Sequence, residues 1–165
     1  MTYSSKPLIE IEALSYAYPR RGSVLNNIDF ALHAGERAII NGDNGVGKTT
    51  LLHLIVGLKK AKQGDITGFG ELCKKKKQFN KLRAKAGLLF QDPDDQLFCP
   101  TVLEDVMFGP LNLGFTKQQA IEKSLKTLNT LGMQGFESRI THQLSGGEKR
   151  MITLASVLVM EPEVL

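Results

Sequence analysis

The sequence predicts an α/β fold, on three observations. A period-two alternation near the start reads as strand, a short unbroken apolar run leads into a glycine-rich turn, and helical spacing follows that turn at once. In residues 8–14, Leu8, Glu10 and Glu12 alternate with Ile9, Ile11 and Ala13, the pattern of a half-buried strand. Pro19 and Gly22 break it, and residues 24–32 read as a second strand. Gly35 closes a turn before residues 36–41, whose Ala38-Ile39-Ile40 core suits a strand buried on both faces. From Thr49 the spacing becomes helical, with Leu51, Leu54, Ile55 and Leu58 on one face.

Residues 64–69 read as a short strand and residues 73–85 as a charged, solvated segment. Gly87-Leu88-Leu89-Phe90 reads as another buried strand. The rest is predicted helical, because Thr101 with Glu104, Thr116 with Gln119 and Ser145 with Glu148 each form the Ser/Thr-x-x-Glu/Gln pattern of a reciprocal helix cap. Ile121, Leu125 and Leu128 give the second of these helices an apolar stripe, and Gly132 ends it. Met151, Leu154, Ala155 and Leu158 are expected to face inward on the third, which Pro162 stops.

Composition sets the limits. With 165 residues, 42% hydrophobic and a formal charge of +4, the chain has the make-up of one globular domain rather than of a disordered segment. No apolar run approaches the roughly 18–20 residues of a membrane span, and residues 1–6 lack the basic-then-apolar order of a secretory signal. Cys73 and Cys99 stand apart and are expected to be reduced, inert thiols, which predicts a soluble, intracellular protein. His33, His53 and His142 share no ligand spacing. Asp92, Asp94 and Asp95 lack the glycine and distal glutamate of a calcium loop. The run Lys74-Lys75-Lys76-Lys77 has no interleaved aromatic residues to stack on bases, so a solvated surface is expected and nucleic acid is not an expected partner.

One motif carries chemistry unambiguously. Gly42-Asp43-Asn44-Gly45-Val46-Gly47-Lys48-Thr49 satisfies G-x-x-x-x-G-K-[ST] at every position, between a predicted strand and a predicted helix. Glycines allow successive backbone N–H groups to turn toward phosphate oxygens, and the helix start adds free N–H groups and a positive dipole end. Lys48 supplies a charge toward the β- and γ-phosphates, and the Thr49 hydroxyl is a hard oxygen ligand for Mg²⁺. A nucleoside triphosphate is the expected ligand. A second helix start, Leu144-Ser145-Gly146-Gly147-Glu148, exposes small residues in the same way, and its Ser145 lies 97 residues after Lys48.

Together these two motifs resemble the Walker A and signature motifs of the ATP-binding-cassette ATPases. The resemblance implies a P-loop NTPase core with an N-terminal antiparallel β part and an inserted α-helical subdomain. Residues 1–98 would form the β-rich and P-loop core and residues 99–150 the helical subdomain ending in the signature. It implies ATP and Mg²⁺ as cofactors. Tyr18 would stack on adenine, while Gly42, Asn44, Gly45, Gly47, Lys48, Thr49 and Thr50 would hold the phosphates. Thr49 and Gln91 would face the metal, with Lys48 and Gln91 acting in catalysis. Ser145, Gly146, Gly147 and Glu148 would reach the nucleotide of a second ATPase subunit in a head-to-tail homo- or heterodimer.

The stretch from Gln91 to Phe98, with Thr101-Val102-Leu103-Glu104-Asp105-Val106 and Phe108-Gly109-Pro110-Leu111-Asn112-Leu113-Gly114, resembles the energy-coupling-factor branch of that family, which serves cobalt, nickel and vitamin uptake. There this region lies beside a groove for an integral membrane subunit, at the cytoplasmic face of the membrane. Val106, Met107, Phe108 and Leu111 therefore have two readings, docking surface or core.

The resemblance further implies an apolar strand ending in Asp, then a glutamate and a later histidine, after Glu161-Pro162-Glu163-Val164-Leu165. On this reading the chain is C-terminally truncated and inactive alone, although an ATPase by family. The alternative is a non-catalytic nucleotide-binding fragment or gene remnant. A chromosome-maintenance ATPase, which shares both motifs, would need long coiled coils between them, and sustained heptads are absent.

Overall fold

The computed structural model describes residues 6–19 and 22–165. Residues 1–5, and residues 20 and 21 within the expected break between the first two strands, lie outside the described residues. The chain divides into two compact units, residues 1–83 and 84–165. The division falls after Arg83 rather than near residue 98, because the segment after Arg83 makes its backbone bonds with the C-terminal segment: Glu163 N–H donates to Lys85 O and Gly87 N–H to Val164 O.

The first unit is built on a four-stranded antiparallel sheet. Its strands are β1 (Ile9–Tyr18), β2 (Gly22–Leu32), β3 (Gln63–Gly68) and β4 (Glu71–Leu72), in the order β2-β1-β3-β4. Ile9 and Ile11 are buried as the alternation requires, opposite Leu32 and Phe30 on one side and Gly68 and Ile66 on the other. Beyond Ile11 the alternation shifts. Leu14 is fully buried, whereas Ala13 is exposed and has φ 48°.

This is a β-bulge, in which one extra residue reverses the facing of the strand. Its backbone groups are satisfied by side chains: Ala13 N–H donates to Asp29 Oδ1 at 2.7 Å, and Asn27 N–H to Ser15 Oγ at 2.9 Å. Gly64 lies against the bulge with φ +86°, where a Cβ would stand 2.5 Å from the Ala13 carbonyl oxygen.

One expectation is corrected in this unit. Residues 36–41 form no strand, and Ile39 is 83% exposed. A strand exists only through its partners, and no described residue pairs with this segment. The charged segment at residues 73–85 is largely solvated as read and carries a helix, α2 (Lys76–Arg83), that buries Leu82. Helix α1 (Lys48–Ile55) follows the glycine turn and buries Leu51 and Leu54, while Leu58 falls beyond its end and is 52% exposed.

The second unit is helical, with α3 (Val102–Asn112), α4 (Lys117–Thr130) and α5 (Gly146–Leu158) packed on one another. All three predicted reciprocal caps form, at Thr101, Thr116 and Ser145. Val102, Val106, Leu128, Ile152, Ala155 and Val159 make the core, each at 1% exposure or less. Burying a side chain of this kind contributes about 1.5–3 kcal/mol.

The inward faces differ in detail from the predicted ones. On α4, Ala120, Ser124 and Leu128 face in, and Leu125 is 40% exposed. Small residues at that spacing allow close helix approach, and the Ser124 hydroxyl is buried without a hydrogen-bond partner among the described residues. On α5, Ile152, Thr153, Ala155 and Val157 are buried, while Met151, Leu154 and Leu158 are half-buried. The predicted strand at residues 87–90 is reduced to a single parallel bridge, Ala86 with Val164.

Candidate nucleotide-binding site

The turn from residue 42 into α1 owes its shape to three glycines. Gly42, Gly45 and Gly47 have φ of 150°, 85° and 108°, values that L side chains rarely adopt. Gly47 is required twice over, because a Cβ there would lie 2.6 Å from Val24 Cγ1 and 3.1 Å from Leu25 Cδ2. The β2 strand thus presses the end of the turn into place. Gly47 is also the helix N-cap and offers no side chain to the helix.

The first intrahelical bond is Leu51 N–H to Gly47 O at 2.8 Å, and the first turn holds no acidic residue. The amides of Lys48, Thr49 and Thr50 are therefore the unpaired donors that every helix start presents, with no side chain of the turn competing for them. Lys48 bends back across the turn, and its Nζ donates to Gly42 O at 2.6 Å and to Asp43 O at 2.8 Å. Thr49 is exposed, with its hydroxyl available as an oxygen ligand.

Thr50 is placed differently from the expectation. It is buried, and its Oγ1 shares a 2.9 Å hydrogen bond with the Tyr18 hydroxyl. That bond ties the end of β1 to the start of α1. The Tyr18 ring meets Tyr16 edge-on at 5.0 Å and has the Lys59 ammonium 5.1 Å from its centroid. Lys59 was not singled out by sequence, since cation–π contacts leave no periodic signal.

The second half of the expected site lies in the other unit. Ser145 Oγ accepts from Glu148 N–H at 3.3 Å, and Glu148 Oε2 accepts from Ser145 N–H at 2.7 Å. Arg139 Nη1 adds a 3.2 Å contact to Glu148 Oε1. The Ser145 hydrogen bonds, and then Arg139, hold the Glu148 carboxyl below its usual range. Its carboxylate is thus occupied by the cap rather than free for a ligand. Gly146 and Gly147 are exposed, and a Cβ on either would meet nothing within 4 Å.

Gln91 is exposed, and the chain beside it is held by Gln96, whose Oε1 accepts from Phe90 N–H at 3.0 Å. Asp92 caps the 3₁₀ turn Pro93–Asp95 by accepting from Asp94 N–H, and Asp94 pairs with Lys149 at 2.6 Å. Among the described residues no group of three or more His, Cys, Asp or Glu side chains is placed to hold a metal.

Sequence reasoning also missed Asp105. It is 3% exposed, and its carboxylate accepts from Cys99 N–H at 3.0 Å and Phe98 N–H at 3.3 Å. Burial pushes its carboxyl up, and the two amides pull it partly back. Burial also pushes both the Cys73 and Cys99 thiols up, in keeping with inert, protonated groups. Of the apolar residues with two readings, Val106 and Met107 are core, while Phe108 and Leu111 are 45% and 40% exposed.

A turn of three positive-φ glycines, a lysine folded back over it and a helix start without a side-chain cap are the parts from which phosphate-binding turns of α/β domains are built. Comparison with known proteins makes the class specific. The ABC transporter family profile matches residues 25–165. An ABC transporter ATP-binding protein of Brucella suis is 55% identical over 160 residues, which is 97% of this chain and 66% of that protein. The energy-coupling factor transporter ATP-binding protein EcfA of Methanothermobacter thermautotrophicus is 43% identical over 96% of this chain and 51% of its own length.

Among solved structures, cbiO1 of Clostridium perfringens, part of the ABC transporter complex cbiONQ, superposes with a TM-score of 0.80 at 34% identity. It is matched over 96% of this chain and 63% of its own. A dimeric ATP-binding cassette bound to ADP and phosphate shares the fold, with a TM-score of 0.82 over 93% of this chain and 70% of that one, at 22% identity. The chain belongs to the ABC transporter family, and spans between half and two thirds of the length of these two curated relatives.

Proposed function

We propose that the chain is the nucleotide-binding part of the ATPase subunit of an energy-coupling-factor importer for a cobalt or nickel ion or a vitamin. The observation that carries this reading is the turn at residues 42–50, where a helix start without a side-chain cap follows three glycines of positive φ and the Lys48 ammonium folds back onto the Gly42 and Asp43 carbonyls. The likeness to EcfA and to cbiO1 supports the branch.

ATP binds with its phosphates in that turn and its adenine against Tyr18, displacing Lys59 from the ring or using the opposite face. Mg²⁺ would be held by the Thr49 hydroxyl, a hard oxygen donor, and would neutralise phosphate charge. Thr50 contributes its amide, its hydroxyl being committed to Tyr18. Ser145, Gly146 and Gly147 present their helix start to the nucleotide held by a second ATPase subunit, and Glu148 shapes that start from behind. Turnover also needs the carboxylates that the family pattern places after residue 165.

An integral membrane subunit docks on the second unit, where Phe98 and Phe108 form an exposed edge-to-face pair at 4.7 Å beside exposed Leu111 and Leu113. On this reading the protein works at the cytoplasmic face of the membrane. No described helix is long and apolar enough to cross it. The test is ATP affinity. Lys48→Ala is expected to weaken binding at least several-fold, and unchanged affinity would refute the assignment.

A further inference from the structure

Lys74, Lys75 and Lys76 of the basic run, read from sequence as solvated surface, line one wall of a cavity of about 820 Å³ in the first unit. The other wall is the segment from α1 to β3. Seven cationic side chains line the cavity, from both walls, and no acidic residue does. Three of the seven are engaged within the fold. Lys74 pairs with Asp65, Arg83 donates to Val56 O at 2.7 Å and to Asn80, and Lys59 sits over Tyr18. The ammonium groups of Lys60, Lys62, Lys75 and Lys76 have no partner among the described residues.

Two features show that this concentration of charge is built. First, the walls are locked together. Phe79 packs so tightly on Gly57 that a Cβ there would lie 2.3 Å from its ring, and the Arg83 bond to Val56 O fixes α2 to the end of α1. Second, α2 opens on lysines with no acidic residue in its first turn. Helix starts favour negative charge, so cations at this end are mutually repelled and also opposed by the helix dipole. Both penalties vanish when an anion enters.

We propose that this cavity is a binding site for a phosphate-bearing polyanion, separate from the nucleotide turn. Lysines recognise phosphate as point charges without fixing its orientation, whereas Arg83, the one guanidinium lining the cavity among the described residues, is already committed. The ring of Phe79 is spent on Gly57, so no stacking surface for bases is offered. The ligand presents several phosphate charges together, either on one compact group free in solution or on neighbouring headgroups of an anionic phospholipid surface.

The test uses the chain carrying Lys48→Ala, so that the nucleotide turn contributes little. Tripolyphosphate binding is measured by calorimetry, and binding to vesicles of phosphatidylglycerol or phosphatidylcholine by sedimentation. A variant with Lys60, Lys62, Lys75 and Lys76 changed to Gln is compared with a charge-matched control in which Lys6, Lys77, Lys117 and Lys126 are changed to Gln. The cavity variant is expected to lose about 10-fold or more in affinity, on counterion-release grounds, and the control far less. Tripolyphosphate binding assigns a soluble ligand, and phosphatidylglycerol binding alone assigns a lipid headgroup. Binding of neither probe, or equal losses in both variants, would overturn the proposal.

Discussion

Replacing Gly147 by alanine separates what the entry to α5 needs for folding from what it needs for function. Glycine inside a helix is about 0.5–1 kcal/mol less favourable than alanine, because it surrenders more backbone freedom. Here that deficit has no intramolecular reason. Gly147 does not sit in the left-handed region, and the space its Cβ would occupy is open for 4 Å. Gly147→Ala is therefore expected to raise the thermal midpoint of the 165-residue chain by about 1–4 °C, followed by circular dichroism.

The opposite is expected of function. If the open space receives the phosphate held by a facing subunit, a methyl group there keeps the anion from the amides. Turnover of the full-length protein is then expected to fall about 10²-fold, the scale seen when one preorganised donor is lost. Phosphate release by purified protein is the assay. A lowered melting temperature would show that the glycine serves the fold, and unchanged turnover would show that the space receives nothing. Either result refutes the reasoning.

Other outcomes follow from features of each unit. Gly64→Ala must force a Cβ toward the Ala13 carbonyl in a backbone region strained for alanine, and is expected to lower stability by about 1–3 kcal/mol in urea titrations. Asp105→Ala leaves the Phe98 and Cys99 amides without their acceptor, and a loss of about 2–4 kcal/mol is expected by the same method. The Glu148 carboxyl is held below its usual 4.5 by Ser145. Its contribution to the α5 cap is therefore complete above that value and is lost as pH falls through the lower folded value. Carboxyl NMR should show Glu148 titrating below 4.5, and Ser145→Gly, which removes the hydroxyl but keeps the backbone N–H donor, should bring it only part of the way back.

The nucleotide turn was legible in sequence because its determinants are local. Glycines at 42, 45 and 47 take the conformations that only glycine takes readily, and Lys48 reaches carbonyls a few residues away. The three helix caps were legible for the same reason, each closing over three residues. Residues 36–41 were misread because strand identity belongs to a pair, and apolar composition says nothing about whether a neighbour is there. The helix at Lys76–Arg83 was hidden because it buries a single residue, Leu82, and so shows no apolar stripe. Asp105 was invisible because its partners are backbone amides of a preceding loop, and backbone donors carry no residue-type signature. The bulge at Ala13 escaped notice because the alternation was read only as far as residue 14, whereas the change of phase from Ile9 and Ile11 to Leu14, Tyr16 and Tyr18 shows only across the whole strand.

The pair of hydrogen bonds that Lys48 Nζ donates to Gly42 O and Asp43 O has a thermodynamic corollary. A cation holding the rim of the turn from within keeps it in nearly the conformation that an incoming anion requires. Much of the ordering entropy of the loop is thus spent during folding rather than on association. On the proposed reading, capture would exchange two neutral carbonyl acceptors for charged oxygens, so the charge that favours nucleotides over nucleosides would come, beside the helix-start amides, from a side chain that is already in position.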